Sequence, residues 1–298
     1  MVAIATYRRP ELLAACLDSV LPELGEHDVL LVVDNDAQGS AGEVVAAHAR
    51  TDTRVRGITE PSPGIAAARN AAVEEFLGGK HDALVFIDDD ETASPGWLQA
   101  HRAAMARTSA DATFGPVIPH YADGVSAWIR WLGFFARTDA PTDSDVRWPA
   151  TNNVRISHAL FDRDSSLRFS EEYSMTGGSD TDFFFRARAA GAVLRWVAEA
   201  RVDETVPTSR ANLRWLWRRG VRLGNVSARM LRRQGRASVW IVSVGAARMV
   251  AAAGLALVAI VRSKPAGPQL MHIPKGAGMI REARGSLVQE YSRTEPVS

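Results

Sequence analysis

Two unbroken apolar runs, Val29-Leu30-Leu31-Val32-Val33 and Ala83-Leu84-Val85-Phe86-Ile87, constrain this chain more than any other feature, and each stops on an aspartate, Asp34 or Asp88. A strand without polar alternation has both faces covered, the condition of a parallel strand between two helical layers. The neighbouring patterns supply those layers. Pro10 to Leu21 reads as a helix with proline in its first turn, Gly42 to Ala49 as a second, and Ile65 to Leu77 as a third, closed by Gly78-Gly79. Val2 to Ala5 and Arg54 to Ile58 read as further strands. Strands separated by helices in this rhythm predict an α/β fold, a doubly wound and mainly parallel twisted sheet with right-handed crossovers. Ligands of such sheets bind beyond the carboxyl ends of the strands, where Asp34 and Asp88 stand.

The second run leads straight into Asp88-Asp89-Asp90-Glu91. Consecutive carboxylates at a strand mouth repel one another, and a divalent cation with a taste for hard oxygen ligands, Mg²⁺ or Mn²⁺, resolves that conflict. A solvated acidic turn, or a cap for a helix starting near Pro95-Gly96-Trp97, is the plainer alternative. The closely spaced glycines of a dinucleotide site are absent from the first turn, which reads Thr6-Tyr7-Arg8-Arg9-Pro10, and the Gly-Lys-Ser/Thr phosphate loop is absent too. A phosphate-bearing ligand would therefore be neutralised by a metal and by arginines such as Arg9 and Arg69.

Composition separates the 298 residues into unlike parts. Residues 1–204 hold 19 Lys/Arg against 31 Asp/Glu, whereas residues 205–281 hold 14 Lys/Arg and no acid. An acidic body joined to a purely basic, partly apolar segment points to an anionic surface as partner. A single cysteine, Cys16, excludes an internal disulfide framework and suits a small buried residue on the first helix. The start, MVAIATYRRP, has no apolar core of signal-peptide length, so the N-terminus is expected to stay in the cytoplasm.

The segments ATYRRP, VVDND, PSPGIAAARNAA, FIDDDE and GGSDTDFFFRARAAG occur in order between residue 2 and about residue 191. Together they resemble the inverting family 2 glycosyltransferases of the GT-A fold. TNN, TGGSDTDFFFR and RWLWRRG extend the likeness toward bacterial surface-polysaccharide transferases of the succinoglycan-biosynthesis type. The resemblance implies a nucleotide diphosphate-sugar donor and assigns roles. Thr6, Tyr7 and Arg9 fall where the family contacts base and ribose, Asp34 matches its base-binding carboxylate, and Arg69 matches a donor-binding position. Asp88 and Asp90 end the Asp-X-Asp motif, Asp88 facing the donor and helping Asp90 to ligate the metal, while Asp89 caps the turn. The family's catalytic acidic pair, usually Glu-Asp, reads Ser179-Asp180 here. Ser179 and Asp182 have capping-box spacing, which frees Asp180 to act as general base on an acceptor hydroxyl. Asn152 and Asn153 border the sugar site in the family, though they also suit an ordinary turn, and Trp97 and Trp148 could stack on a sugar or fill the core.

From Ala211 to Arg236 a basic helix places Arg214, Arg218 and Arg222 on one stripe beside Trp215 and Trp217, a pattern suited to an anionic membrane interface. Ala237 to Val261 is apolar over about a bilayer's thickness, with Arg248 at its centre. Spanning, in-plane and buried placements all remain open for it. No nucleic-acid module accompanies the arginines. The expected organisation is a transferase domain at 1–204, with a donor half at 1–118 and an acceptor half at 119–204, followed by the basic helix, apolar segment and tail at 205–298. The expected activity is hexosyl transfer from a nucleotide sugar, UDP-linked, to a lipid-linked or saccharide acceptor at the cytoplasmic face of the membrane. A sugar-1-phosphate nucleotidyltransferase and a non-catalytic membrane-interaction protein are the alternatives.

Overall fold

A computed structural model describes residues 1–136, 140–146, 149–174 and 177–285. Trp148, Thr176 and the tail beyond residue 285 lie outside them. Ten strands follow in chain order: β1 (Val2–Thr6), β2 (Leu30–Asp34), β3 (Val55–Thr59), β4 (Ala83–Ile87), β5 (Glu91–Ala93), β6 (Ala112–Phe114), β7 (Val117–Tyr121), β8 (Asn153–Ser157), β9 (Leu194–Trp196) and β10 (Val202–Val206). The helices are α1 (Pro10–Val20), α2 (Gly42–Thr51), α3 (Ile65–Gly78), α4 (Trp97–Thr108), α5 (Ala127–Leu132), α6 (His158–Arg163), α7 (Ser179–Ala189), α8 (Leu213–Arg233), α9 (Ser238–Val261), α10 (Gly267–Leu270) and α11 (His272–Ala283). The chain divides into two compact units. The first comprises Met1–Ile118, Arg137–Ser174 and Ser179–Glu204; the second comprises Pro119–Ala136, Met175–Gly178 and Thr205–Ser298.

The first unit is built on a seven-stranded sheet of order β3-β2-β1-β4-β8-β6-β9. β1 to β4 are mutually parallel; β8 runs antiparallel between β4 and β6, and β9 returns parallel to β6. The apolar runs are explained by cover on both sides. Leu31 and Val33 of β2 face a core shared with Ala68, Ala72 and Phe76 of α3 and with Phe183 and Phe184 of α7. Leu30 and Val32 face the opposite core, with Leu13, Cys16 and Leu17 of α1 and Trp97 of α4. Strand order reverses direction between β1 and β4, which makes their carboxyl ends the switch point where such sheets open a crevice.

Trp97 is fully buried, which resolves its two readings in favour of the core. Asn153 is corrected more sharply: it is 2% exposed and all four of its amide positions are engaged inside the protein. Its Oδ1 accepts from Trp97 Nε1 (2.8 Å) and from the His101 ring (3.0 Å), while its Nδ2 donates to Pro116 O (3.1 Å) and Ala200 O (2.7 Å). A buried amide must meet its partners or lose their full desolvation energy, so this residue ties α4 to the sheet and has no hydrogen bond left for a sugar.

The second unit has contacts of a different kind. α11 packs against α8 and α9 through glycines, where a Cβ at Gly224 would lie 2.0 Å from Lys275 O and one at Gly276 would lie 2.4 Å from Gly245 O. Asn225, buried on α8, donates to Gly278 O at 2.8 Å, and Arg232 pairs with Glu282 at 3.1 Å. The far part of α9 packs through Ala256 and Ala259 against Ala266, Leu132 and Leu270.

Burial lowers the pKa of His101 to about 4, because the imidazolium would lose its hydration inside the core. The unfolded chain takes up this proton near 6.5, so between about 6.5 and 4 the unfolded state binds more protons and stability falls with pH. The full effect is about 3 kcal/mol. Urea unfolding at pH 7.5 and pH 5 is expected to show about 2 kcal/mol of this loss in the parent and a smaller loss in His101→Gln; equal losses in the two would refute it.

Candidate functional site

The site grows from the mouths of β1, β2 and β4. β4 ends in Asp88, and the turn that follows is closed by Glu91: its backbone N–H donates to Asp88 O (3.1 Å) and its carboxylate accepts from the Asp88 N–H (3.2 Å). Asn152 donates to the other Glu91 oxygen at 2.9 Å, so it sits on the acidic turn's own framework. Glu91, and not Asp89, is therefore the residue that caps the turn. Asp89 points across the switch point instead. It is 5% exposed, accepts the Thr6 hydroxyl at 2.8 Å from the end of β1, and takes Arg9 Nη1 at 3.1 Å. Arg9 also reaches Asp90 at 3.5 Å. Arg69, buried on α3 with its guanidinium over the Phe169 ring, reaches Asp88 at 3.3 Å.

Four acids in succession thus share two arginines and a hydroxyl. Loss of water around the carboxyl pushes the Asp88 pKa up to about 6; Arg69 opposes the rise, while Asp90, Asp89 and Glu204 reinforce it. Asp88 keeps 39% of its side-chain surface open, against 14% for Asp90 and 7% for Asp89. Asp88 is therefore the most accessible of the three to an incoming group, and Asp89 is committed to the framework. No group of three or more His, Cys, Asp or Glu among the described residues is arranged to hold a metal. The donor set fits an ion held by Asp88 and Asp90 with the rest of its shell from ligand and water, the usual habit of Mg²⁺ with phosphates.

Asp34, at the mouth of β2, is 4% exposed and organises the loop that follows. Its carboxylate accepts the N–H groups of Asp36 (3.0 Å) and Ala41 (2.7 Å) and the Ser40 hydroxyl (3.4 Å). Arg8 joins this loop to the first one, donating from Nε to Asp36 at 2.9 Å and from its backbone N–H to Ser40 Oγ. The Arg8 guanidinium holds the Asp36 carboxyl below its ordinary range. Its own guanidinium lies 5.1 Å from the Tyr7 ring centre, and its φ is +54°. A non-glycine residue in the left-handed region is held there by its surroundings, and such residues gather at functional loops. Sequence reading passed over Arg8, although an arginine doublet before a helix-starting proline was the available signal.

Two amides stitch the remaining loops. Asn35 donates to Glu60 O and Ser62 O and accepts from the Gly64 N–H, which positions the start of α3. Asn70 trades both its amide groups with the backbone of Phe169 at 2.9 and 2.7 Å. Arg69 and Asn70 thus point one toward the aspartates and the other toward the segment before α7.

α7 begins at Ser179, so Ser179 lies inside the first turn and not before it. Asp182, fully buried, pairs forward with Arg186 at 3.0 Å, a structural task. Asp180 is half-buried; its Oδ1 accepts the Thr181 N–H at 2.7 Å. No hydrogen bond or ion pair links it to the aspartate cluster among the described residues. The structure therefore brings together Thr6, Arg9, Arg69, Asp88, Asp89 and Asp90, adds Glu91 and Asn152, and leaves Asp34 and Asp180 as separate stations.

A switch-point crevice of this acidic and arginine-lined kind, without glycine phosphate loops, suits a glycosyltransferase of the GT-A fold. Residues 1–170 match Glycosyl transferase family 2, and the chain belongs to that family as a glycosyltransferase. It is 33% identical over 258 residues to the succinoglycan biosynthesis protein ExoM of Rhizobium meliloti (strain 1021), covering 83% of this chain and 80% of that one. It is 23% identical over 114 residues to the glycosyltransferase GlyA of Streptococcus pneumoniae serotype 4, covering 38% of this chain and 16% of GlyA. Among solved structures, S. aureus TarS shares the fold with a TM-score of 0.53 at 15% identity, over 78% of this chain and 42% of that one. Family membership sets aside the nucleotidyltransferase and non-catalytic alternatives.

Thr6→Val removes the hydroxyl that reaches buried Asp89 from β1 and is expected to destabilise the protein by about 2 kcal/mol, the range for a hydrogen bond to a charged group. Thr6→Ser keeps the donor and should stay close to the parent. Urea midpoints decide it, and an unchanged Thr6→Val midpoint would count against the clasp.

Proposed function

We propose that this protein is an inverting hexosyltransferase that moves a hexose from a nucleotide diphosphate-sugar, UDP-linked, to a lipid-linked or saccharide acceptor during surface polysaccharide or glycolipid synthesis. The observation that carries this reading is the pairing of Arg9 and Arg69 with the acidic turn at the switch point. These arginines are positioned to trade a carboxylate for a diphosphate oxygen at little electrostatic cost. The likeness to a succinoglycan biosynthesis protein over most of both chains supports the polysaccharide context.

In this mechanism Thr6, Tyr7 and Asp34 form the base and ribose side of the donor site, with the Arg8–Asp36 staple holding the two loops in register. Asp88 addresses the nucleotide sugar and, with Asp90, would hold Mg²⁺ or Mn²⁺. The ion supplies charge neutralisation for the departing diphosphate. Arg9 and Arg69 hold the diphosphate oxygens and keep the leaving group aligned with the anomeric carbon. Asp180, in the first turn of α7, takes the proton of the acceptor hydroxyl as that oxygen attacks from the opposite face. A single base suffices for inversion, because no covalent sugar intermediate is needed.

The second unit supports a station on the cytoplasmic face of the membrane. Trp217 and Leu213 are exposed on α8 beside Arg214 and Arg218, and α9 is one helix among the described residues long and apolar enough to cross a bilayer.

Asp180→Asn is expected to lower transfer by about 10²- to 10⁴-fold, the range for general-base catalysis, with metal-dependent donor binding unchanged. Asp90→Asn should instead weaken donor binding in the presence of Mn²⁺. A parallel measurement of UDP-sugar binding, with and without Mn²⁺, and of sugar transfer separates the roles. Parent-like transfer by Asp180→Asn overturns the base assignment, and a parent that turns over no nucleotide sugar overturns the reading as a whole.

A further inference from the structure

α9 divides into two faces. Ile241, Gly245, Ala252, Ala256 and Ala259 are buried, and Arg248 lies on the same side of the helical wheel. The opposite face carries Val239 (78% exposed), Val250 (76%) and Val261 (77%), with Leu257 between the last two. The one hydroxyl on that stripe, Ser243, donates back to Val239 O at 3.0 Å, so it presents no unmet donor to an apolar medium. Twenty-four residues make this open stripe about 36 Å long.

What packs against the buried face decides the orientation. Near the middle of α9, Gly245 and Met249 meet Gly276 of α11, and Gly224 of α8 meets Lys275 O on the same stretch of α11. A spanning α9 would therefore carry α11 and part of α8 with it, placing Arg248 and Lys275 near the bilayer centre. The two cations repel: the charge of Arg248 adds to burial in lowering the Lys275 pKa, and no acid opposes it. A cation at mid-membrane loses its hydration with no acid nearby to replace it, which is costly. The far part of α9 is tied in the same way to α10 and α5 through Ala256, Ala259, Leu270 and Leu132. In-plane placement avoids these costs, leaving the packed face toward water and protein and the valine stripe toward lipid.

Resting on the membrane reading above, we propose that α9 lies flat in the headgroup–acyl boundary of an anionic leaflet and does not cross the bilayer. The charge of the segment fits that occupant, since residues 205–281 hold 14 cations and no acid. Indoles suited to the interface flank the helix: Trp240 is exposed at one end beneath the Arg236 guanidinium at 4.9 Å, and Trp128 and Trp131 are exposed on α5, whose Leu132 packs at the other.

The test places one cysteine at a time at Val239, Val250 and Val261 in the full chain. Cys16, the native thiol, is buried, so a bimane label reports the introduced site. Labelled protein is added to vesicles of phosphatidylcholine and phosphatidylglycerol carrying spin labels at shallow or deep acyl positions. Equal, mainly shallow quenching at all three sites is the expected result. A spanning helix separates Val250 from either end by about 16 Å of depth, so deep quenching at Val250 with shallow or absent quenching at the ends overturns the in-plane placement while leaving membrane binding intact. Failure of the protein to bind these vesicles overturns the membrane reading as well. Unquenched probes on a species of doubled mass would assign the stripe to a second copy of the chain and overturn lipid as its occupant.

Discussion

Carboxylates in succession at the mouth of a buried strand cannot stand without counter-charge, and the switch point of the first unit is arranged around that demand. Arg69 is placed in the middle of α3, on a face otherwise given to alanine and phenylalanine, because Asp88 lies opposite it. Arg9 follows the end of β1 because Asp89 and Asp90 are across the crevice. Thr6 closes the floor with a hydroxyl where an apolar residue would leave Asp89 leaning on Arg9. The result is a polar clasp between β1 and β4, residues that are 83 positions apart in the chain. Its acids stay close together because its cations do not let them separate, and the same cations are the groups a diphosphate would recruit.

Loop geometry at this face depends on side chains that take over backbone duties. Asp34 accepts two N–H groups of the loop it precedes, Asn35 fixes the carbonyls ahead of α3, and Asn70 pairs with the Phe169 backbone as a neighbouring strand would. Loops held by side-chain hydrogen bonds need no packed core of their own, which leaves their surface free for a ligand. Gly64 belongs to this system: at φ +120°, a Cβ there would lie 2.5 Å from Ser174 Cβ.

Much of the frame was legible because its residues obey one rule at a time. Val29 to Val33 and Ala83 to Ile87 could only be doubly covered strands, and Pro10 and Gly78-Gly79 marked helix ends by backbone chemistry alone. Residues whose roles need partners distant in sequence were not readable. Asn153 looked like a turn residue beside a sugar site, yet it satisfies Trp97, Pro116 and Ala200 from scattered parts of the chain. β5 is three residues long and β10 is polar through its middle, with Glu91 opposite Glu204, so neither has the hydrophobic alternation that betrays a strand. Ser179 and Asp182 had the spacing of a capping box, but Arg186 one turn on takes the Asp182 carboxylate. The acidic turn showed its residues in sequence and concealed their division: Asp89 clasps, Glu91 caps, and Asp88 and Asp90 each meet an arginine.

The antiparallel strand β8 also bears on how far this fold can be taken apart. It enters the sheet between β4 and β6, so Ala83–Ile87 on one side and Ala112–Phe114 on the other both hydrogen-bond to residues 153–157. A chain cut after residue 118 would leave the edge of β4 bare, five apolar residues with an unpaired ladder, which is a template for association with other chains. Residues 1–118 are thus no independent module that recombination could splice onto another chain at that point. Exchange of parts within this architecture is confined to loops and to segments beyond the last strand, which leaves the C-terminal helices as the portion that evolution or an engineer can most readily replace.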